Sequence, residues 1–339
     1  MKRKFTAAIL LKFKKKLNVT RIPIKKPENN QILVKLKFAG VCKSQIMEID
    51  GKRNNKKWLP HMLGHEGSGV IVSVGPNIND FKIGDRVFLS WIKNNKKDCK
   101  DIKFLKNKKI INAGKVTTFN SYSLVSSNRV YHLPKSIDYK VGALIGCAFA
   151  TGFGMILKSI SKRKKINLLI IGLGGIGLSS LIAAISLGYK NIDVLEINQQ
   201  KLNHIKKHVR HKNVKYFSSL IELKRDYYDN IIESSGNANV LSKSINYIHN
   251  KGKVVFASHP EANTKIKLYP HDLIKGKKIV GSWGGNIVFK KDLNSMIKVL
   301  KRTLYIKKLF LNKVYSLNEI NIAINHLRKG ISIRPLIRF

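Results

Sequence analysis

The chain has 339 residues, 43% of them hydrophobic, and only three cysteines, which leaves room for roughly two domains of about 150 residues and excludes a disordered chain or a secreted disulfide framework. Sixty-five Lys and Arg against nineteen Asp and Glu give a formal charge of +46, a field that draws polyanions. Yet the basic residues lie in scattered Lys/Asn runs (KFKKK at 12–16, KRNNKK at 52–57, KNNKK at 93–97) without a stripe or interleaved aromatics. That fits codon drift in an AT-rich genome better than a nucleic-acid surface, so only salt-sensitive, non-specific polyanion binding is expected.

The N-terminal MKRKFTAAILLKFKKK starts basic, but Lys12 cuts its apolar run and no small-residue cleavage site follows. It reads as a first β-strand and not a signal peptide, and the expected compartment is the cytoplasm. Residues 5–90 are strand-like, with ILVKLKF (32–38) and GVIVSVG (69–75) set between turn signals such as GPNIND and IGD. Residues 91–114 are polar, Lys-rich and without periodicity, and read as a surface loop. A helical pattern runs from about Tyr139 to Ile160. From 166 onward buried runs LLIIG, NIDVLEI, YDNIIES and KVVFAS alternate with stretches of helical length, the pattern of a doubly wound parallel sheet in an α/β protein. After about 285 the chain returns to a mixed tail ending in the strand-like RPLIRF.

Residues 166–189 hold no charge and are flanked by Lys162, Arg163, Lys164, Lys165 and Lys190. By length this could cross a bilayer, which takes about 20 apolar residues. Gly172, Gly174, Gly175 and Gly177 argue otherwise, because GLGGIG would weaken a spanning helix and directly follows an apolar strand. A helix opens after it, and Glu196 follows Gly177 by nineteen residues at the end of a second buried strand. That order is the dinucleotide-binding (Rossmann) fingerprint: a tight turn, a close approach for pyrophosphate, close strand–helix contact, and a carboxylate for the ribose hydroxyls. Glu196 would repel a 2′-phosphate, so NAD is expected over NADP. No membrane partner is expected.

Cys42 in AGVCKSQ, His65 in LGHEGSG and Cys147 in IGCAFATGFG form a second constellation. Two thiolates and an imidazole suit a catalytic zinc with one position left for substrate. Their spacing is uninformative; singly, Cys147 reads as a small buried hydrophobe and His65 as a hydrogen-bonded structural residue.

Together with their surroundings these segments resemble the medium-chain dehydrogenase/reductase superfamily, in its zinc-dependent alcohol dehydrogenase branch. The pieces are GVCKSQ, LPHMLGHEGSGVIVSVGP, FKIGDRV, IGCAFATGFG, GLGGIG, the strand ending in Glu196, ESSG at 233–236, GSWGG at 281–285 and RPLIRF, in the family's order over nearly the whole chain. The resemblance implies a mainly β, GroES-like catalytic domain in two parts, residues 1–148 and 285–339, around a Rossmann domain at 149–284. It implies that Cys42, His65 and Cys147 bind the catalytic zinc. Ser44 then starts the proton relay, and Glu66 lies beside the zinc. Lys43 and Arg334 lie near the pyrophosphate, Thr151 near the nicotinamide carboxamide, and Glu196 and Lys201 on the adenosine ribose. The implied function is hydride transfer between NAD(H) and an alcohol/aldehyde or ketone pair, in a homo-oligomer, dimer or tetramer.

Three departures accompany the resemblance. Only Cys99 stands in the 91–114 segment, where members with a structural zinc carry four close cysteines, so one catalytic ion and no structural zinc is expected. Met47 stands where some members have a His that ends the proton relay, so the proton needs another route through ribose hydroxyls and water. Gln45 stands where an Asp often orients the ligand His, which removes an anionic partner. Trp58, Trp91, Met47 and Trp283 are candidates to line the substrate pocket. Two other readings remain: a zinc-free quinone or enoyl reductase of the same superfamily, and a basic nucleic-acid-associated binding protein.

Overall fold

The computed structural model describes residues 4–302 and 305–339. The chain forms two compact units, Met1–Cys147 with Phe310–Phe339, and Ala148–Leu309.

In the first unit the short apolar runs become two sheets. One has the strand order Asn18–Pro23, Lys4–Leu10, His61–Met62, Lys109–Gly114, Ile102–Lys106. Its Lys4–Leu10 strand is the one expected at the N-terminus; residues 1–3 lie outside the described residues. The other sheet runs Val130–His132, Arg86–Leu89, Gly67–Val74, Gln31–Gly40, Leu336–Arg338, Val314–Ser316, with Tyr122–Ser126 also paired to Gln31–Gly40. Because successive strand residues face opposite ways, Ile32, Val34 and Leu36 turn to one side and pack with Ile71, Val87, Leu89 and Val125.

Register decides what this sheet carries. Ala39 lies opposite Gly67, Gly67 opposite Leu89, and Gly40 opposite Leu336. Four chain segments therefore enter or leave the sheet at one end. Just beyond it stand Cys42, His65, Ser90 and Arg334.

The second unit is a six-stranded parallel sheet in the order Val214–Phe217, Asn191–Leu195, Asn167–Ile171, Tyr228–Glu233, Ile248–Phe256, Lys278–Gly281. Sequence order reverses between Asn167–Ile171 and Tyr228–Glu233. A doubly wound sheet opens its ligand crevice beyond the strand ends at such a switch point. The charge-free stretch that could have crossed a bilayer is divided here into the strand Asn167–Ile171 and the helix Gly175–Ser186. Its apolarity is that of elements buried on both faces of a parallel sheet.

The expected helix is Tyr139–Ser159; it is long and apolar enough to span a membrane, yet 83% of its apolar window is buried inside the protein. It widens into π turns over Ile145–Phe149 and Met155–Ser159, and Cys147 lies in the first. Such turns recur at functional positions because they rotate a side chain away from the regular helical face.

Two expectations are corrected. Residues 91–114 are not simply a loop, because Ile102–Lys106 and Lys109–Gly114 form a hairpin. Asn107 and Lys108 both adopt positive φ (49° and 60°), the two-residue turn whose twist matches a hairpin. Ile102, Phe104, Ile111 and Ala113 are buried while Lys103 and Ile110 face outward. The return to the first unit also comes later than 285. Residues 285–309 belong to the second unit, where the helix Phe289–Arg302 buries Phe289, Met296 and Leu300. Asp292 in that helix pairs with Lys158 at 2.6 Å.

Candidate metal centre and nucleotide turn

Cys42 ends the crossing from Gln31–Gly40 and caps the short helix Lys43–Ile49. His65 lies just before Gly67–Val74. Cys147 is fixed by the long helix, held to the sheet where Ser90 Oγ donates to the Gly146 carbonyl at 2.6 Å. The sulfur atoms of Cys42 and Cys147 and a ring nitrogen of His65 lie within 4.8 Å of one another. Among the described residues no other group of His, Cys, Asp and Glu meets that criterion. Zinc–sulfur and zinc–nitrogen bonds of about 2.3 and 2.0 Å put tetrahedral donors roughly 3.4–3.8 Å apart, so the donor set fits a zinc ion.

His65 is oriented from both sides: Nε2 is 3.2 Å from Cys147 Sγ, and Nδ1 is 2.5 Å from the Gln45 amide nitrogen. Gln45 is buried, and its Oε1 accepts from the Cys42 backbone N–H at 3.0 Å. The position that lost an anionic partner thus keeps the orienting contact with a neutral amide. Because Oε1 is held by the Cys42 N–H, the amide nitrogen donates to Nδ1 and the ring proton sits on Nε2, facing the Cys147 sulfur; metal binding through Nε2 requires that proton to leave.

The two thiols titrate together. The hydrogen bond from Cys147 holds Cys42 well below its ordinary value against the opposing burial, with Arg334 assisting. Cys147 is pushed well up by that same bond and by burial.

Glu66 and Arg334 form a buried ion pair, 0% and 4% exposed, with Arg334 Nε donating to Glu66 Oε1 at 2.7 Å. Burial raises the Glu66 carboxyl although Arg334 pulls it down. Gly40 makes the room: a Cβ there would lie 2.2 Å from Glu66 Oε1. Arg334, expected as a pyrophosphate contact, pairs with this carboxylate. Ser44 Oγ is buried and has no hydrogen-bond partner among the described residues, the condition of a hydroxyl kept for a ligand. Lys43 is exposed at the start of the same helix.

In the second unit the glycine turn is built as its spacing required. Gly172 has φ +82°, a conformation strained for any side chain. A Cβ on Gly177 would lie 1.8 Å from the Gly172 carbonyl, whereas one on Gly174 would meet nothing within 4 Å. Gly174 thus faces open space, and Gly175 starts the helix Gly175–Ser186 whose first N–H groups face the turn. Glu196 is buried; Oε2 accepts from Leu173 N–H at 2.8 Å and Oε1 from Asn198 N–H at 3.0 Å, and Lys201 pairs with it. The carboxylate therefore shapes the turn as well as facing it. Thr151 is buried in the long helix.

Sequence reasoning did not single out Ser234, whose Oγ donates to the Ile171 and Gly172 carbonyls at 2.9 and 2.7 Å. The signal was present in ESSG directly after an apolar strand at the switch point. Trp58 lines a cavity beside His65. Trp91 lends its carbonyl to Arg129, and Trp283 sits edge-on to His259.

Two families match the chain: "Alcohol dehydrogenase GroES-like domain" over residues 28–135 and "Zinc-binding dehydrogenase" over residues 175–302. Alcohol dehydrogenase class-3 of Drosophila melanogaster is 26% identical, with 98% of this chain and 97% of that relative covered. The S-(hydroxymethyl)glutathione dehydrogenase of Saccharomyces cerevisiae is 23% identical over 99% of this chain and 96% of its own. Among solved structures, benzyl alcohol dehydrogenase from Acinetobacter calcoaceticus superposes with a TM-score of 0.86 at 23% identity, covering 99% of both chains.

Proposed function

Since this chain belongs to the zinc-dependent alcohol dehydrogenase branch of the medium-chain dehydrogenase/reductase superfamily, we propose that Cys42, His65 and Cys147 are the ligands of its catalytic metal and Ser44 its first proton acceptor. The protein is an oxidoreductase acting on an alcohol and its aldehyde or ketone. The observation that carries the assignment of residues is the convergence of two sulfurs and one ring nitrogen within 4.8 Å, with the unpartnered Ser44 Oγ two residues after the first ligand.

A bound zinc supplies Lewis acidity to the substrate oxygen, and a nicotinamide ring takes or returns the hydride. Ser44 Oγ would accept the proton of the substrate hydroxyl while passing its own hydroxyl proton on to ribose hydroxyls and water, Met47 standing where a relay His would otherwise take it. Glu66, neutralised by Arg334, keeps a carboxylate beside the sulfurs without adding net charge. Gly172, Gly174, Gly175 and Gly177 cradle the pyrophosphate, while Glu196 and Lys201 receive the adenosine ribose, which selects NAD over NADP. Lys43 and Thr151 complete the cofactor contacts. One ion per chain is our reading, since Cys99 stands without the cysteine neighbours a structural zinc requires. We also take the working form to be a cytoplasmic dimer or tetramer.

The test is a panel of alcohols and aldehydes assayed by nicotinamide absorbance with NAD and with NADP, before and after chelation. NAD-linked turnover that chelation abolishes is expected. Full turnover after metal removal would favour the zinc-free reductase reading, and preference for NADP would remove the role given to Glu196.

A further inference from the structure

The hairpin of Ile102–Lys106 and Lys109–Gly114 buries one face and turns the other to solvent. Ile102, Phe104, Ile111 and Ala113 join the core of the first unit. On the opposite face Leu105 and Ile110 are cross-strand partners, 61% and 53% exposed. Single exposed aliphatic residues are ordinary on a surface. Two set directly opposite each other near a hairpin turn form one apolar knob. Asn112, on the same face, donates from Nδ2 to the Trp58 carbonyl at 2.8 Å. That bond ties the backbone of a third exposed apolar residue to the flank of the knob.

The surroundings of the knob are basic. Residues 102–114 contain Lys103, Lys106, Lys108 and Lys109 and no Asp or Glu. Lys106 and Lys109 are partners across the turn, and like charges set directly opposite destabilise a strand pair. Lys106 reaches a neutral hydroxyl, that of Thr20. Asp101, at the foot of the hairpin, pairs with Lys115 at 3.0 Å. Lys56 and Lys57 add charge beside Trp58, with Lys57 Nζ 5.4 Å from the centre of its ring. An anion at the tip would relieve the opposition of Lys106 and Lys109.

The make-up of the patch decides between anions. Single-stranded nucleic acid is held on aromatic platforms and duplex DNA by Arg at base edges. The hairpin has no Arg, and its one aromatic residue, Phe104, is buried. A second copy of the chain would set lysines against lysines. Aliphatic side chains among lysines suit an anionic bilayer: the apolar tips enter the headgroup boundary while ammonium groups on apolar stems meet the lipid phosphates.

We propose that the Leu105–Ile110 hairpin docks the protein peripherally on a surface of anionic phospholipid. This departs from the expectation of no membrane partner drawn from the sequence, and it is independent of the metal centre and the nucleotide turn.

The experiment is cosedimentation of the full chain with phosphatidylcholine vesicles, alone and with about 30% phosphatidylglycerol, at about 0.1 M salt. Three double variants are compared with wild type. Leu105→Thr with Ile110→Thr keeps every charge, and Lys108→Gln with Lys109→Gln removes two from the tip. Lys206→Gln with Lys207→Gln removes two from exposed positions on the helix Gln199–His208 in the second unit. Wild type is expected to partition onto the anionic vesicles at least about 10-fold above phosphatidylcholine alone. The aliphatic pair should lower that partitioning about 10-fold with the melting temperature unchanged. The tip lysines should lower it about 10- to 30-fold, and the distant lysines by less than about threefold. Equal losses in the two lysine pairs, or no loss in a folded aliphatic variant, would reduce the binding to overall charge and overturn the proposal. So would failure of wild type to bind anionic vesicles, or tighter binding of duplex DNA that the tip lysines carry. Dissociation of an oligomer by the aliphatic pair, with vesicle binding intact, would assign the knob to a second copy instead. Should the aliphatic variant fail to fold, the comparison of the two lysine pairs decides alone.

Discussion

The metal centre and the nucleotide turn are built by opposite strategies. The turn is contiguous: strand, four glycines and helix follow one another within Asn167–Ser186, and each glycine's task is set by its immediate neighbours. The candidate metal centre draws Cys42, His65 and Cys147 from three distant segments: the register of Gln31–Gly40 against Gly67–Val74 brings Cys42 and His65 to one end of a sheet, and the long helix, tied there by Ser90, brings Cys147. A local motif is robust to what happens elsewhere in the fold. A convergent one inherits every error in register, since a one-residue slip turns each side chain to the other face.

The largest effect expected from this contrast is at a ligand. Cys147→Ser removes one donor from the convergent site, and several kcal/mol of Lewis-acid stabilisation go with the metal. At about 1.36 kcal/mol per tenfold, kcat/KM should fall at least about 1000-fold in steady-state assays, with NAD affinity measured by fluorescence unchanged. A parallel loss of NAD affinity would break the separation between the two regions.

Gly177→Ala attacks the local motif instead. Its Cβ would lie 1.8 Å from the Gly172 carbonyl, a backbone contact that cannot move aside cheaply. Overpacking of this kind costs about 1–3 kcal/mol, read as a fall in Tm by calorimetry together with weakened NAD binding, while zinc content stays the same.

Gln45→Leu removes the amide that orients His65 and should weaken zinc binding by about 10- to 100-fold in chelator competition. Gln45→Asp supplies an anionic acceptor for Nδ1–H and should tighten it. Equal affinities for all three proteins would show that the contact orients nothing.

The smallest effect lies where the C-terminal segment is tied to the helix that carries Ser44. Arg328 donates to both carboxylate oxygens of Asp50 at 2.6 and 2.8 Å. Those bonds hold the Asp50 carboxyl below its ordinary value. Its contribution is therefore present above about pH 4 and fades as pH falls through the folded-state value. As a partly exposed pair it is worth about 0.5 kcal/mol. Asp50→Asn should lower stability by that amount at pH 7 in urea titrations and by less near pH 3.

The glycine turn, the strands flanking it and the sulfur and imidazole donors were legible in the sequence because each depends on residue type or short-range order. The hairpin over Ile102–Gly114 was hidden by its turn, since Asn107-Lys108 lacks the glycine that usually marks positive φ and sits in a Lys/Asn run. Gln45 looked like a loss because one polar residue replaced another; only the 2.5 Å contact with His65 shows the amide in the orienting place. The later return of the chain at Phe310 could not be read, because the amphipathic face of Phe289–Arg302 would serve either unit equally well.

Zinc content per chain, in wild type and in Cys147→Ser purified identically and shown folded by circular dichroism, tests the convergent centre most directly. One zinc per wild-type chain and almost none in the variant is the predicted result. Near-zero zinc in wild-type protein that still oxidises alcohols, or two ions per chain, would contradict it.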